Sequence, residues 1–299
     1  MVKTMNDAFK ERLSSDIEAV NSALKSCQYL SCDDEKVIQA ENYALSAGGK
    51  RIRPVLCMEF YRLFGGKKDI SDIAICLEMI HTFSLIHDDM PEMDNDDLRR
   101  GKPSCHIAYG TDIALLAGDG LSLLPFEIIS DKAKSGKISF ETAVRLMGEL
   151  SGAAGHRGMI MGQELDLRSE GICADKKFLT KMSSLKTGCL LKASCKFGAI
   201  LAGCEDEEIN AAEAYAENLG LAFQIIDDIL DVVGDEKLLG KPIGSDKERN
   251  KNTFADVMGI ENAEKLANEY TAAAIDAIKD YEGSQFLCEL AESLLSRKK

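Results

Sequence analysis

The chain has 299 residues, 45% of them hydrophobic and 29% charged, with a formal net charge of −14. This is the balance of a globular protein with a sizeable core; it disfavours nucleic acid, whose phosphates are held by basic faces, so an anionic ligand would need local cations or metal. No uninterrupted apolar run reaches the roughly 18 residues of a membrane span, MVKTMNDAFKERL lacks the apolar core of a signal peptide, and ten scattered cysteines without a CxxC pair suit reduced thiols in cytoplasm.

In chain order, Phe9, Leu13, Ile17, Val20 and Leu24 form a stripe spaced three or four apart, which predicts an amphipathic helix over 7–26. A second helix is expected from an N-cap at Asp34 to Ala47, ended by Gly48-Gly49. In GGKRIRP, Pro54 favours the first turn of a third helix, which runs to Gly65-Gly66. Lys50, Arg51 and Arg53 then crowd a helix N-terminus, where the macrodipole disfavours cations unless an anion binds there.

The stretch from Ile70 to His87 is apolar almost all round and reads as a buried helix. It delivers HDDMPEMDNDDLRRGKPSCH, whose ten positions after His87 hold five aspartates and one glutamate. Crowded carboxylates repel, so this pattern implies a cation, and oxygen-only donors suit Mg²⁺ better than zinc. Arg99 and Arg100 follow, and guanidinium forks grip phosphate oxygens, so the pair of features suits a Mg²⁺–diphosphate complex. His81 lies two turns before Asp88, about 10 Å along the same face. Asp88 and Asp94 would point about 120° apart on a regular helix, with Pro91 between them to disturb the ladder.

TDIALLAGDGLSLLPFEII predicts a further apolar helix, with Gly118 and Gly120 allowing a close neighbour. Helix is expected over 139–165, with Gln163 and Asp166 of GQELDL (162–167) three apart on one face, and again from about Phe178 through Lys186-Thr187-Gly188 to Gly203. A partly buried Lys186 would need a partner. In NLGLAFQIIDDILDVV, Gln224, Asp227 and Asp231 form a polar stripe on a buried helix, where carboxylates demand counterions. The loop LGKPIGSDKERNKNTF follows, then amphipathic helix to the basic end. No strand signal is present and no repeat, so one all-α domain, 1–299, is expected.

The motifs GGKRIRP, DDMPEMD with DLRRGKP, KTG and FQIIDDILD, in that order between Tyr43 and Phe254, closely resemble the trans-prenyltransferases, the short-chain polyprenyl diphosphate synthases, and most of all bacterial farnesyl diphosphate synthases and their geranylgeranyl relatives. The resemblance implies a bundle of ten or more helices around a central active-site cavity (the isoprenoid synthase fold), a homodimer and three Mg²⁺ ions. It assigns Asp88, Asp94 and Asp227 to metal, with Asp89, Asp228 and Asp231 in support. It assigns Arg99, Lys186, Gln224 and Lys241 to the allylic diphosphate, and Thr187 to the neighbourhood of its reacting carbon. Lys50, Arg53, His81 and Arg100 would hold isopentenyl diphosphate. The loop at 240–252 and the basic C-terminus would close the site.

By the same resemblance the reaction is head-to-tail (1′-4) condensation of isopentenyl diphosphate with dimethylallyl, then geranyl, diphosphate. An aromatic five residues before Asp88 goes with a farnesyl product, and Phe83 stands there with Ser84 beside it. Phe83 lies about 140° from Asp88 on an ideal helix, so it would bound the growing tail from the side. Geranyl or geranylgeranyl diphosphate is the alternative main product. A terpene cyclase would not need GGKRIRP and DDLRRGKP together, and a non-catalytic subunit would commonly lose one acidic motif, whereas both are whole here.

Overall fold

The computed structural model describes residues 6–31, 34–169, 171, 174–233 and 252–295. Its helices are α1 (Asp7–Lys25), α2 (Lys36–Leu45), α3 (Ile52–Leu63), α4 (Ser71–Asp88), α5 (Cys105–Tyr109), α6 (Thr111–Lys134), α7 (Phe140–Ala154), α8 (Met159–Ser169), α9 (Lys176–Ser183), α10 (Cys189–Ala202), α11 (Asp206–Val233), α12 (Phe254–Met258), α13 (Ile260–Asp276) and α14 (Gln285–Leu295). A π-helical turn, Ser184–Gly188, joins α9 to α10. The fold is that of the all-α isoprenoid synthases.

Two compact units are distinguished: Glu11–Met58 with Lys67–Met147, and Met1–Lys10, Glu59–Gly66 and Gly148–Lys299. The first is built on α4, whose run from Ile73 to Ile80 is buried on every side. Its principal partner is α6, which also packs on α2 and α5. Gly118 and Gly120 make the approach possible, since a Cβ at Gly118 would strike the His87 imidazole and one at Gly120 the Glu41 carboxylate. The second unit is built on α11, packed on α10 and α13. Leu179, Ile225, Ile229 and Phe254 share its core, and Tyr215 stands edge-on to Phe60 at 5.2 Å while its hydroxyl donates to the Leu287 carbonyl at 2.8 Å.

Several expectations are corrected. The N-cap of α2 is Glu35, not Asp34, and the helix ends at Leu45, two residues early, with Gly48 and Gly49 in the left-handed half of φ space beyond it. The stretch 139–165 is not continuous: α7 stops at Ala154 and α8 starts at Met159, because Gly155 and Gly158 weaken the connecting turn. Two short strands do exist, β1 (Leu98–Arg99) and β2 (Lys102–Pro103), paired antiparallel. Arg100 and Gly101 form their turn with φ of 53° and 76°, the positive-φ pair that tight hairpins favour. Finally, α6 is long and apolar enough to cross a membrane by length and composition, with a mean hydropathy of 1.5. Asp119 and other polar residues interrupt its apolar run, and Ala114, Ala117, Leu121, Ile128 and Ile129 line its buried face.

Candidate active site

In the first unit the acidic motif begins where α4 stops. The helix gives out at Asp88, before Pro91, which has no N–H to continue it. The chain then doubles back: the Asp94 N–H donates to the Asp88 carbonyl at 2.8 Å, and Asn95, at φ 50°, donates to the Met90 carbonyl at 3.0 Å. Pro91 therefore ends the helix rather than kinking it, and the loop brings the Asp88 and Asp94 backbones together as helical spacing could not.

The hairpin sends the two arginines to different partners. Arg99 grips the buried carboxylate of Asp89, its Nε lying 3.0 and 3.1 Å from the two oxygens, and its Nη2 reaches Asp89 and Asp96. Burial raises the Asp89 carboxyl above the ordinary range against the opposing pull of Arg99. Arg100 turns toward GGKRIRP, donating to the Gly48 carbonyl and lying 4.0 Å from Glu78. It packs so close to Gly49 that a Cβ there would sit 2.6 Å from its guanidinium carbon.

Arg51 departs from the expectation of a cation displayed at a helix N-terminus. It is buried, with φ 50°, and donates to Glu78 at 2.6 Å, to the Leu45 carbonyl at 2.6 Å and to Asn21 at 3.0 Å. Arg53 is the contrasting case: its Nε is buried and has no hydrogen-bond partner among the described residues. Burial lowers Arg53 to about 10, opposed by Glu78 and helped by Arg100. His81 is pushed well below its ordinary value, first by burial and then by Arg53, Arg100, Arg99 and Arg51. A neutral imidazole among guanidiniums leaves the cluster short of an anion.

Phe83 stands edge-on to His87, with ring centroids 5.6 Å apart, and the His87 Nε2 lies 3.1 Å from the Leu115 carbonyl of α6. The Ser84 hydroxyl donates back to the His81 carbonyl at 2.8 Å. Sequence reading missed Glu78, although it sits one turn before His81.

In the second unit Lys186 and Thr187 lie on the π-helical turn, a widened backbone that frequently marks functional sites. The Lys186 ammonium donates to the buried Asp166 carboxylate of α8 at 2.7 Å. Asp166 is thus the partner that a partly buried Lys186 required; twenty residues of chain hid the pairing. The two segments meet at Gly162, where a Cβ would lie 2.5 Å from Lys186 Cα and 2.7 Å from the Leu185 carbonyl carbon. The Thr187 hydroxyl donates to the Gln224 amide oxygen at 3.3 Å, and the Gln224 amide donates to Asp228 at 2.9 Å. The other Asp228 oxygen accepts from the Phe254 N–H at 2.8 Å, fixing the start of α12. Asp231 is buried on the same helix and Asp227 partly buried. Lys241, the loop at 240–252 up to residue 251, and the terminal residues 296–299 lie outside the described residues.

Among the described residues no three carboxylates, thiols or imidazoles gather into a self-sufficient metal site. Oxygen donors supplied in ones and twos fit Mg²⁺, which keeps several waters and completes its shell with substrate phosphates.

A helical fold carrying two acidic motifs and a guanidinium cluster places the chain among the isoprenoid synthases. The family model "Polyprenyl synthetase" matches residues 34–284, and the chain belongs to that family; it is a prenyltransferase. It is 41% identical over 281 residues to the heterodimeric geranylgeranyl pyrophosphate synthase large subunit 1 of Arabidopsis thaliana, covering 93% of this chain and 76% of that protein. It is 42% identical over 260 residues to the farnesyl diphosphate synthase of Geobacillus stearothermophilus, covering 85% and 87%. The crystal structure of the Helicobacter pylori geranyltransferase complexed with magnesium and isoprenyl diphosphate superimposes with a TM-score of 0.82 at 31% identity, over 98% of this chain and 97% of that one.

Proposed function

We propose that the chain joins isopentenyl diphosphate to dimethylallyl and then geranyl diphosphate, with farnesyl diphosphate as its main product, acting in the cytoplasm as one catalytic domain over 1–299. The observation that carries the reading is the unpartnered buried Nε of Arg53 in a cluster with Arg100 and neutral His81: it calls for an anion beside, yet separate from, the acidic motif. Joining two diphosphates requires two such sites.

Asp88, Asp94 and Asp227, supported by Asp89, Asp228 and Asp231, would hold three Mg²⁺ ions; the Helicobacter pylori relative is complexed with magnesium and isoprenyl diphosphate, which supports the choice of metal. When bound, Mg²⁺ neutralises charge on the leaving diphosphate as the allylic C–O bond weakens. Arg99, Lys186 and Lys241 grip the same diphosphate; Arg99 exchanges Asp89 for phosphate oxygens, and Asp166 keeps the Lys186 ammonium in place. Lys50, Arg53, Arg100 and neutral His81, as a hydrogen-bond partner, hold isopentenyl diphosphate so that its double bond faces the ionising carbon. The Thr187 hydroxyl and the Gln224 amide oxygen, already hydrogen-bonded to each other, direct dipoles at the developing cation. The final proton passes to the released diphosphate, and the site excludes water because a free carbocation would be lost to hydrolysis.

Phe83 supports the farnesyl product, as a bulky ring one and a half turns before Asp88 with Ser84 beside it. Leu116 and Leu123 on α6 and Phe140 and Val144 on α7 are exposed, Leu123 by 69% and Phe140 by 70%, and we assign these apolar side chains to a homodimer contact. Incubation with Mg²⁺, isopentenyl diphosphate and primers of different length, followed by product chromatography, tests the reading. Elongation to C15 is expected; no elongation with any primer would refute it, and C20 accumulation would transfer the assignment to geranylgeranyl diphosphate.

A further inference from the structure

The guanidinium cluster of the first unit is assembled around a carboxylate. Glu78, on α4, has 1% of its surface exposed. Its Oε1 accepts from Arg51 at 2.6 Å and lies 4.0 Å from Arg100 Nη2, and its charge is felt by Arg53. A pairing that served only to neutralise Arg51 would involve Arg51 alone. Here one carboxylate lies within 4.0 Å of two guanidiniums drawn from separate segments, GGKRIRP and the β1–β2 turn, and acts through space on a third, Arg53, with His81 one turn further along the same face of α4.

Two of those arginines are held in the left-handed region, Arg51 at φ 50° and Arg100 at φ 53°, a conformation costing about 1–2 kcal/mol in a residue with a Cβ. Arg51 directs donors to Glu78, Leu45 and Asn21, so it is a strut rather than a ligand group. It fixes the junction between the loop that carries Lys50 and the first turn of α3, which carries Arg53. Arg100 is pinned between Glu78 and the Gly48 carbonyl. Without a central anion these cations would repel one another, and each would have to be repositioned when a diphosphate arrived.

We infer that Glu78 is a positioning residue for isopentenyl diphosphate, holding Arg51 and Arg100, with Arg53 beside them, as a preassembled cradle for its diphosphate. This rests on the assignment of that site under the proposed function. Glu78 touches no substrate; it acts through the arginines, so its removal should move one Michaelis constant and not the other.

The test measures KM for isopentenyl diphosphate at saturating geranyl diphosphate, KM for geranyl diphosphate at saturating isopentenyl diphosphate, and the melting temperature, for Glu78→Asp, Glu78→Gln and Arg53→Ala. Glu78→Asp keeps the counter-charge for Arg51 but withdraws it by one methylene. It is expected to fold and to raise KM for isopentenyl diphosphate several-fold, with KM for geranyl diphosphate within twofold of wild type. Glu78→Gln, where it folds, should raise the first constant tenfold or more. Should Glu78→Gln not fold, Glu78→Asp decides. An isopentenyl KM within twofold of wild type in the folded variants, or an equal rise in both constants, would overturn the inference. Arg53→Ala separates the two levels: an unchanged isopentenyl KM there would remove the site assignment itself.

Discussion

Gly162→Ala probes the link between backbone packing and chemistry most directly. The added Cβ would meet the Lys186 amide nitrogen and lie 2.5 Å from Lys186 Cα and 2.7 Å from the Leu185 carbonyl carbon. Carbon atoms pack at about 3.5–4.0 Å, so one segment has to retreat by about 1 Å. All three atoms are backbone, so no rotamer change relieves the clash. Overpacking of this kind costs about 1–3 kcal/mol of stability. The larger consequence falls on the π-helical turn, which carries Lys186 and Thr187: a displacement of about 1 Å in a group that positions substrate can cost about 10²-fold in rate. Steady-state assays with geranyl diphosphate, corrected for the folded fraction by circular dichroism, should show kcat/KM falling by about that factor. A variant with a lowered melting temperature and wild-type kcat/KM per folded molecule would refute the idea that close packing of α8 on this turn sets the catalytic groups.

Three further outcomes are expected. Asp88→Ala and Asp227→Ala should each lower turnover by orders of magnitude, and EDTA should abolish activity that added Mg²⁺ restores; near-normal turnover in either variant would remove that residue from the metal set. Phe83→Ala should shift the product from C15 toward C20, read by chromatography of the dephosphorylated alcohols, and unchanged farnesol would show that other residues gauge the tail. Burial lifts Glu41 from the ordinary 4.5 to about 7, so the fold favours its neutral form. Its stabilising contribution is therefore complete below about pH 4.5 and is lost as pH rises through 7, a change of about 3 kcal/mol at most. Glu41→Gln should abolish this part of the pH dependence in urea unfolding at pH 5 and 8, whereas parallel pH curves for variant and wild type would contradict it.

The sequence by itself determined the helical class, because its apolar residues recur every three or four positions, and it located both acidic motifs, because no folding requirement crowds carboxylates in that way. The all-round apolar character of 70–87 announced α4 as a core helix, and its observed span, Ser71–Asp88, differs only at the ends. Gly118 and Gly120 were legible as close-approach positions, though not their neighbours, His87 and Glu41. What escaped sequence reading depends on contacts between residues distant in the chain, or on backbone choices that side-chain periodicity does not encode. The Lys186–Asp166 pair is of the first kind, as is the burial of Arg51 against Glu78. The π-helical turn at Ser184–Gly188 and the Arg100-Gly101 hairpin are of the second, since a five-residue widening inside a helical segment leaves no mark in the apolar spacing and a two-residue strand is too short to alternate. Only the tertiary structure could separate two arginines flanking Ile52 into a strut at Arg51 and, at Arg53, a buried Nε with no hydrogen-bond partner among the described residues, because charge is a property of the residue while its satisfaction belongs to the neighbours that folding supplies.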